Sequence, residues 1–538
     1  MNVRTIFISG LLTGLILLGL PAAGPAQTPA PPAKVQVQVQ EAGPAAPPAA
    51  PVPVKEEWSV TDHVLRVRGQ VIPYKAKAGT TILTNDAGEP IGLMYSVAYT
   101  RSDVTDLSTR PLAFLYNGGP GSASMWLHMG AFGPRRVATV DAAFTPPAPY
   151  KLVDNAETLL DRTDLVFIDA MGTGYSRIAG KGQNKDFYGI DEDVRAFGQF
   201  IKTYLNRNDR WNSPKFLIGE SYGTFRSAAL GDFLQDRDSI HLNGIVLISS
   251  VLDMSSITFG PGDDRPFIFY LPSYAAVAWY HGALKNRPDK LEPLLAEARR
   301  FAQDEYAAAL FKGDALPDTE KRAVGARMSE LTGLPVDYLL KADLRVTLGE
   351  FNVELARGRG LTTGRIDARF TGFTPDLLAE NASSDPEGPA VGGAFTAMLN
   401  TYNHQELKFG QDKTYNNWIQ GVREWNWKHQ PPMAGLPGAP GASRGGFFPG
   451  APNVQGDLAQ AMITNPRLLV QVENGVYDMA TPFFATEFTM DHLGLPDPLR
   501  EHVKLNYYQA GHMMYLHDES RVKLHDNVAA FIDRATQK

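Results

Sequence analysis

The 538-residue chain has no cysteine. That absence excludes disulfides, thiolate nucleophiles and cysteine-ligated zinc or iron–sulfur centres. The sequence also lacks an HExxH pair, an EF-hand loop and a Walker A loop, so neither a metal nor a cofactor is expected. Gly172-Thr173-Gly174 is missing the third glycine of a dinucleotide fingerprint and reads as a loop. Basic residues are scattered and the net charge is -7, so nucleic acid is not an expected partner. Long apolar runs are scarce. The run from Ile6 to Leu20 is shorter than the ~20 residues of a comfortable membrane span. With Arg4 before it and small residues up to Ala26, it reads as a secretory signal peptide over residues 1–26. Export to a periplasmic or extracellular location is therefore expected, with no stable membrane insertion after signal cleavage. Cysteine-free export suits a bacterial envelope protein.

What is present begins with a tether. Residues 27–54 are rich in Pro, Ala, Gln and Val, as in Pro44-Ala45-Ala46-Pro47-Pro48, and cannot bury a core. From Trp58, period-two alternation at Val64–Gln70, continued in strand style by Val71–Ala78, Thr80–Leu83 and Gly92–Tyr99, predicts an antiparallel meander. Buried strands are then predicted at Pro111–Leu115, Leu165–Asp169, Phe216–Gly219 and Gly244–Ser249, with an amphipathic helix at Asp191–Asn206. Strands alternating with helices imply an α/β class with a largely parallel sheet covered on both faces. Strand rhythm stops near Met254. Helices are expected at Lys290–Phe311, Thr319–Leu331, Val336–Lys341 and Gly393–Asn403, with a turn-rich stretch at Met433–Gly450. Strands return at Arg467–Glu473 and Val503–Tyr508, before a closing helix at Val522–Ala535. The expected organisation is a core in two parts, 55–254 and 456–538, interrupted by a mainly helical insertion at 255–455.

The chain is organised around Gly219-Glu220-Ser221-Tyr222-Gly223. A G-x-S-x-G at a strand-to-helix turn holds the serine hydroxyl above the sheet edge. A serine nucleophile needs a base, and the base needs an orienting carboxylate. In this architecture the order along the chain is Ser, Asp or Glu, His, each after a strand. Asp478 follows the strand ending at Glu473, and His512 follows the strand ending at Tyr508. His517 is a rival base. His512 is preferred because Ala510-Gly511 lets the backbone turn tightly. The oxyanion of a tetrahedral intermediate needs two N–H donors. Tyr222 supplies one by position. Gly119, in the loop Asn117-Gly118-Gly119-Pro120-Gly121, is the candidate for the other. Trp418, Trp425 and Trp427 could line a cleft, although ordinary packing is the simpler reading.

Taken together, Asn117-Gly118-Gly119-Pro120-Gly121, Asp169 to Ser176, Gly219 to Gly223, Gly475-x-x-Asp478-x-x-x-Pro482 and Ala510-Gly511-His512-Met513 resemble the serine carboxypeptidase family. The resemblance covers roughly residues 90–255 and 460–535. It implies an α/β-hydrolase fold, a peptide substrate, and release of C-terminal residues through an acyl-enzyme on Ser221. It also implies that Asn117, Gly118 and Glu220 meet the substrate's terminal carboxylate. A proton shared between Glu220 and that carboxylate would favour acidic pH. Three positions depart from the family pattern: Leu115 for the usual Trp, Ala131 for the usual acid, and Ser122 for Cys. Arg135 or Arg136 could supply charge in their place. The same triad could instead serve an esterase, an acyltransferase or a peptidase of other specificity.

Overall fold

A computed structural model describes residues 54–419, 424–430 and 451–537. The expected signal segment, nearly all of the 27–54 tether and the Met433–Gly450 stretch lie outside these residues. Three long strands open the fold: β1 (Trp58–Val67), β2 (Gln70–Thr84) and β3 (Pro90–Arg101). The two separate strands expected within 71–83 are one continuous β2. Next come β4 (Leu112–Tyr116), the short pair β5 (Arg135–Val137) and β6 (Leu152–Asp154), β7 (Asp164–Ile168) and β8 (Arg177–Ile178). Helix α1 (Ile190–Arg207) leads to β9 (Lys215–Glu220), helix α2 (Tyr222–Asp238) and β10 (Gly244–Ile248). A minor hairpin, β11 (Leu361–Thr363) with β12 (Thr371–Phe373), precedes β13 (Leu469–Gly475) and β14 (Val503–Tyr508).

The main sheet runs β1-β2-β3-β7-β4-β9-β10-β13-β14, with β8 on the side of β3. The first three strands form the antiparallel meander, and β3 meets β7 antiparallel. From β7 onward every pairing in that order is parallel. Parallel strands are covered on both faces, which is why β4, β7, β9 and β10 are buried throughout. Period-two alternation sorts their side chains into two cores. Ala113, Leu115, Phe216, Ile218, Val246 and Ile248 join one. Leu112, Phe114, Leu217, Ile245 and Leu247 join the other. Register aligns the strand ends: Tyr116 lies opposite Gly219, Ile248 opposite Glu220 and Glu473, and Gly475 opposite Tyr508. The loops after these strands therefore leave from one rim, where open parallel sheets place their sites.

Between β10 and β13 the described chain is mainly helical, including Arg265–Tyr280, Leu291–Phe301, Asp318–Thr332 and Glu387–Gln405. The single helix expected at 290–311 is broken by a wide π-type turn at Ala302–Tyr306. The helices build a third core that includes Val476, Tyr477, Met479 and Phe483, so this region rests on the Asp478 loop.

Candidate active site

Strand β9 ends at Glu220, and Ser221 takes φ 60° and ψ −131° before α2 begins. A non-glycine residue at positive φ carries strain of about 1–3 kcal/mol that the surroundings must impose. Here they do. The Ser221 N–H donates to the Ile248 carbonyl at 2.9 Å. A Cβ on Gly219 would lie 2.2 Å from the Gly223 carbonyl oxygen, and one on Gly223 would lie 2.9 Å from the Tyr116 oxygen. Only glycine fits on either side of this turn.

The loops after β13 and β14 bring a histidine and a carboxylate into contact. His512 Nδ1 and Asp478 Oδ2 are 2.7 Å apart, both groups buried. An ionised carboxylate only accepts, so Nδ1 carries the proton and Nε2 presents a lone pair. Asp478 is fixed by three further donors: the N–H groups of Ala480 and Thr481 on Oδ1, and the Thr481 hydroxyl on Oδ2. The Ser249 hydroxyl donates to the His512 carbonyl at 2.7 Å, one residue beyond the carbonyl that holds Ser221. Burial lowers the His512 pKa, but the charge and hydrogen bond of Asp478, with the charge of Glu220, outweigh it and raise the net value. Among the described residues the Ser221 hydroxyl and His512 Nε2 do not close a hydrogen bond. Such contacts are commonly long before substrate binds.

The glycine loop after β4 lies against the serine turn. A Cβ on Gly118 would sit 2.3 Å from the Tyr222 nitrogen, and Gly119 adopts φ +109°. Tyr222 is the first residue of α2, where N–H groups have no partner within the helix. Asn117 ties this loop to the elbow: its Nδ2 donates to Glu220 Oε1 at 2.8 Å, while its Oδ1 accepts from the Leu127 N–H. Arg226 donates to the Asn117 carbonyl and pairs with Asp193 at 2.6 Å, all within the core. Glu220 Oε2 has no hydrogen-bond partner, although the Tyr515 hydroxyl lies beside it. Burial, above all, pushes the Glu220 pKa up to about 7. The Asp478 charge adds to the rise, while His512, Tyr515 and Asn117 oppose it.

Other candidates lie elsewhere. His517 stands at the start of the final helix, its Nδ1 2.8 Å from the Ser520 hydroxyl. Arg135 is committed to Asp154 and Glu406. Trp425 is buried with its ring 5.6 Å from that of Tyr222, whereas Trp418 and Trp427 are exposed. Leu115 and Ala131 are both buried. Sequence reasoning passed over several neighbours. Thr481 was readable, because a hydroxyl three residues after Asp478 can reach back to it. Asp367, which accepts from the Gly511 N–H at 3.2 Å, and Glu387, buried with both oxygens unpartnered, come from the helical region and had no spacing to announce them.

A strained serine between strand and helix, with a histidine–carboxylate pair on the same rim of a mostly parallel sheet, is the arrangement of the α/β-hydrolase fold. Comparison with known proteins narrows this. Residues 91–261 match the family model for serine carboxypeptidase. Serine carboxypeptidase-like 45 of Arabidopsis thaliana is 23% identical over 261 residues, 47% of this chain and 50% of that protein. Serine carboxypeptidase-like 33 of the same plant is 22% identical over 32% of this chain and 35% of that protein. The chain thus aligns with half or less of the length of these relatives. A prohormone-processing carboxypeptidase from Saccharomyces cerevisiae shares the fold, with TM-score 0.52, 14% identity, and 86% and 92% of the two chains covered.

Proposed function

We propose that the protein is a serine carboxypeptidase that removes C-terminal residues from peptides. The observation that carries this reading is the Asn117–Glu220 hydrogen bond beside the His512–Asp478 pair. It sets a largely neutral carboxyl next to the serine, as recognition of a terminal carboxylate at acidic pH requires. In this reading His512 Nε2 takes the Ser221 proton as Oγ attacks the scissile carbonyl. The N–H groups of Gly119 and Tyr222 receive the oxyanion. His512⁺ then protonates the departing amine, leaving the acyl group on Ser221. Water, deprotonated by His512, attacks that ester and releases the shortened peptide and the Ser221 hydroxyl. Asp478 holds the imidazole in the required tautomer. The chain of residues 255–455 would act as the cap of the site, and the 1–26 pattern supports export. Among the described residues no helix is long and apolar enough to cross a membrane.

Leu115 and Ala131 favour a second reading, an esterase, acyltransferase or peptidase of other specificity on the same triad. Blocked dipeptides with a free or an amidated C-terminus, compared from about pH 4 to pH 8 with Ser221→Ala as control, separate the two. Preference for the free acid at low pH is the expected result. Equal turnover of esters and amides without acid preference would overturn the carboxypeptidase reading.

A further inference from the structure

A carboxypeptidase must hold an anion on this rim, yet acids crowd it. Glu220 and Glu387 lie in the field of Asp478, and Glu387 also in that of Asp367 and Asp385. Leu115 and Ala131 are buried and apolar. Arg135 is spent on Asp154 and Glu406, and Arg369 on Asp367 and Asp141. Arg136 is half-buried and donates to the adjacent Val137 carbonyl, whereas Arg365 is different. Its side chain is exposed and makes no ion pair among the described residues.

The backbone at Arg365 is clamped between the two loops that carry Asp478 and His512. The Arg365 carbonyl accepts from the Met479 N–H at 3.1 Å, and the next carbonyl, of Ile366, accepts from the His512 N–H at 2.8 Å. Asp385 Oδ2 takes the N–H groups of both residues, at 2.6 and 3.0 Å, which consumes that carboxylate oxygen on backbone. The Arg365 charge is felt at His512 and at Tyr270. A guanidinium presents paired N–H donors that match a carboxylate.

Resting on the carboxypeptidase reading, we infer that Arg365 is the cationic anchor for the substrate's terminal carboxylate. The test is read by binding rather than by turnover. Ser221→Ala protein, with Arg365 intact, changed to Ala or changed to Lys, is titrated by calorimetry with a blocked dipeptide as free acid and as amide. With arginine in place the acid should bind more tightly than the amide. Arg365→Ala should weaken the acid about ten- to a hundredfold and leave the amide unchanged, with Arg365→Lys recovering part of the loss. Equal weakening of both ligands, an acid preference that survives Arg365→Ala, or binding of neither ligand would overturn the assignment. Because no turnover is needed, an intact acid preference in a protein that hydrolyses no peptide would sink the proposed function and leave Arg365 standing.

Discussion

Replacing Glu220 by glutamine keeps the shape of the side chain and its bond from Asn117 but removes a titrating proton. The buried carboxyl holds that proton up to about pH 7, against 4.5 for an ordinary glutamate. Below about pH 4.5 the acid is neutral in both folded and unfolded chains, so wild type and variant should be similarly stable. As pH rises from there, the unfolded chain releases the proton and the folded chain does not. Stability linked to Glu220 is therefore lost progressively and levels off above about pH 7. At about 1.4 kcal/mol per unit, the span corresponds to roughly 3 kcal/mol, which Glu220→Gln does not lose. Urea unfolding of both proteins at intervals from about pH 4 to pH 8 should show the variant gaining on wild type by an amount of that order. Activity gives a second reading. With free-acid peptides, wild-type kcat/KM should decline as Glu220 ionises, because its charge repels the substrate carboxylate. The variant should lack that decline. Its ascending limb should also move to lower pH, because the Glu220 charge helps to raise the His512 pKa. A stability difference that stays constant across this range, together with superimposable pH profiles, would refute the reasoning.

The remaining predictions concern the shell around the serine. Gly118→Ala places a Cβ 2.3 Å from the Tyr222 nitrogen with backbone on both sides, so it should cut kcat by about 10²–10³ while circular dichroism stays native. Arg226→Met leaves the Asp193 carboxylate buried without its partner and should lower stability by about 3–5 kcal/mol, measured by urea unfolding. The double variant Arg226→Met with Asp193→Leu should recover much of that loss. His429 bridges Asp191 and Asp457; burial lowers its pKa, but bonds to the two carboxylates win and push it up to about 9. Its contribution is complete below about pH 6.5 and disappears as pH rises through about 9. His429→Gln should therefore release the segment around the already exposed Lys428 and let trypsin cut there at neutral pH. Wild type should become equally sensitive only above about pH 9.

How far the chain could be read without coordinates depends on what each signal measures. Continuous apolar runs brought out β4, β7, β9 and β10, whose side chains divide between two cores, while period-two patterning, which measures burial on alternate faces, brought out the meander. It could not distinguish a break from a continuation at Gly79, where a Cβ would strike Trp58. That glycine belongs inside one long β2 rather than between two strands. The helix at Arg265–Tyr280 escaped notice because it is apolar on nearly every side and contains Pro272, which blurs a 3.6-residue pattern. At the site, Ser221, Asp478 and His512 were readable because each follows a strand on the same sheet edge, and strand order is a local property of the chain. Asp367, Arg365 and Glu387 were not. They reach the rim from the helical region through tertiary packing, which no local spacing encodes.

That division has a chemical consequence. The groups readable from local sequence are those to which the proposed hydrolysis assigns the chemistry: the serine turn, the histidine loop, the carboxylate loop and the glycine loop all rest on strand ends. The groups that had to be seen in place surround that centre with charge. Arg365 and Ile366 hydrogen-bond to the backbones of Met479 and His512, and Asp367 accepts from Gly511. Under the proposed function, a change in the helical region would alter which end of a substrate is accepted without moving the strands that carry Ser221. This is the arrangement expected if hydrolysis belongs to the sheet and substrate choice to the chain between β10 and β13.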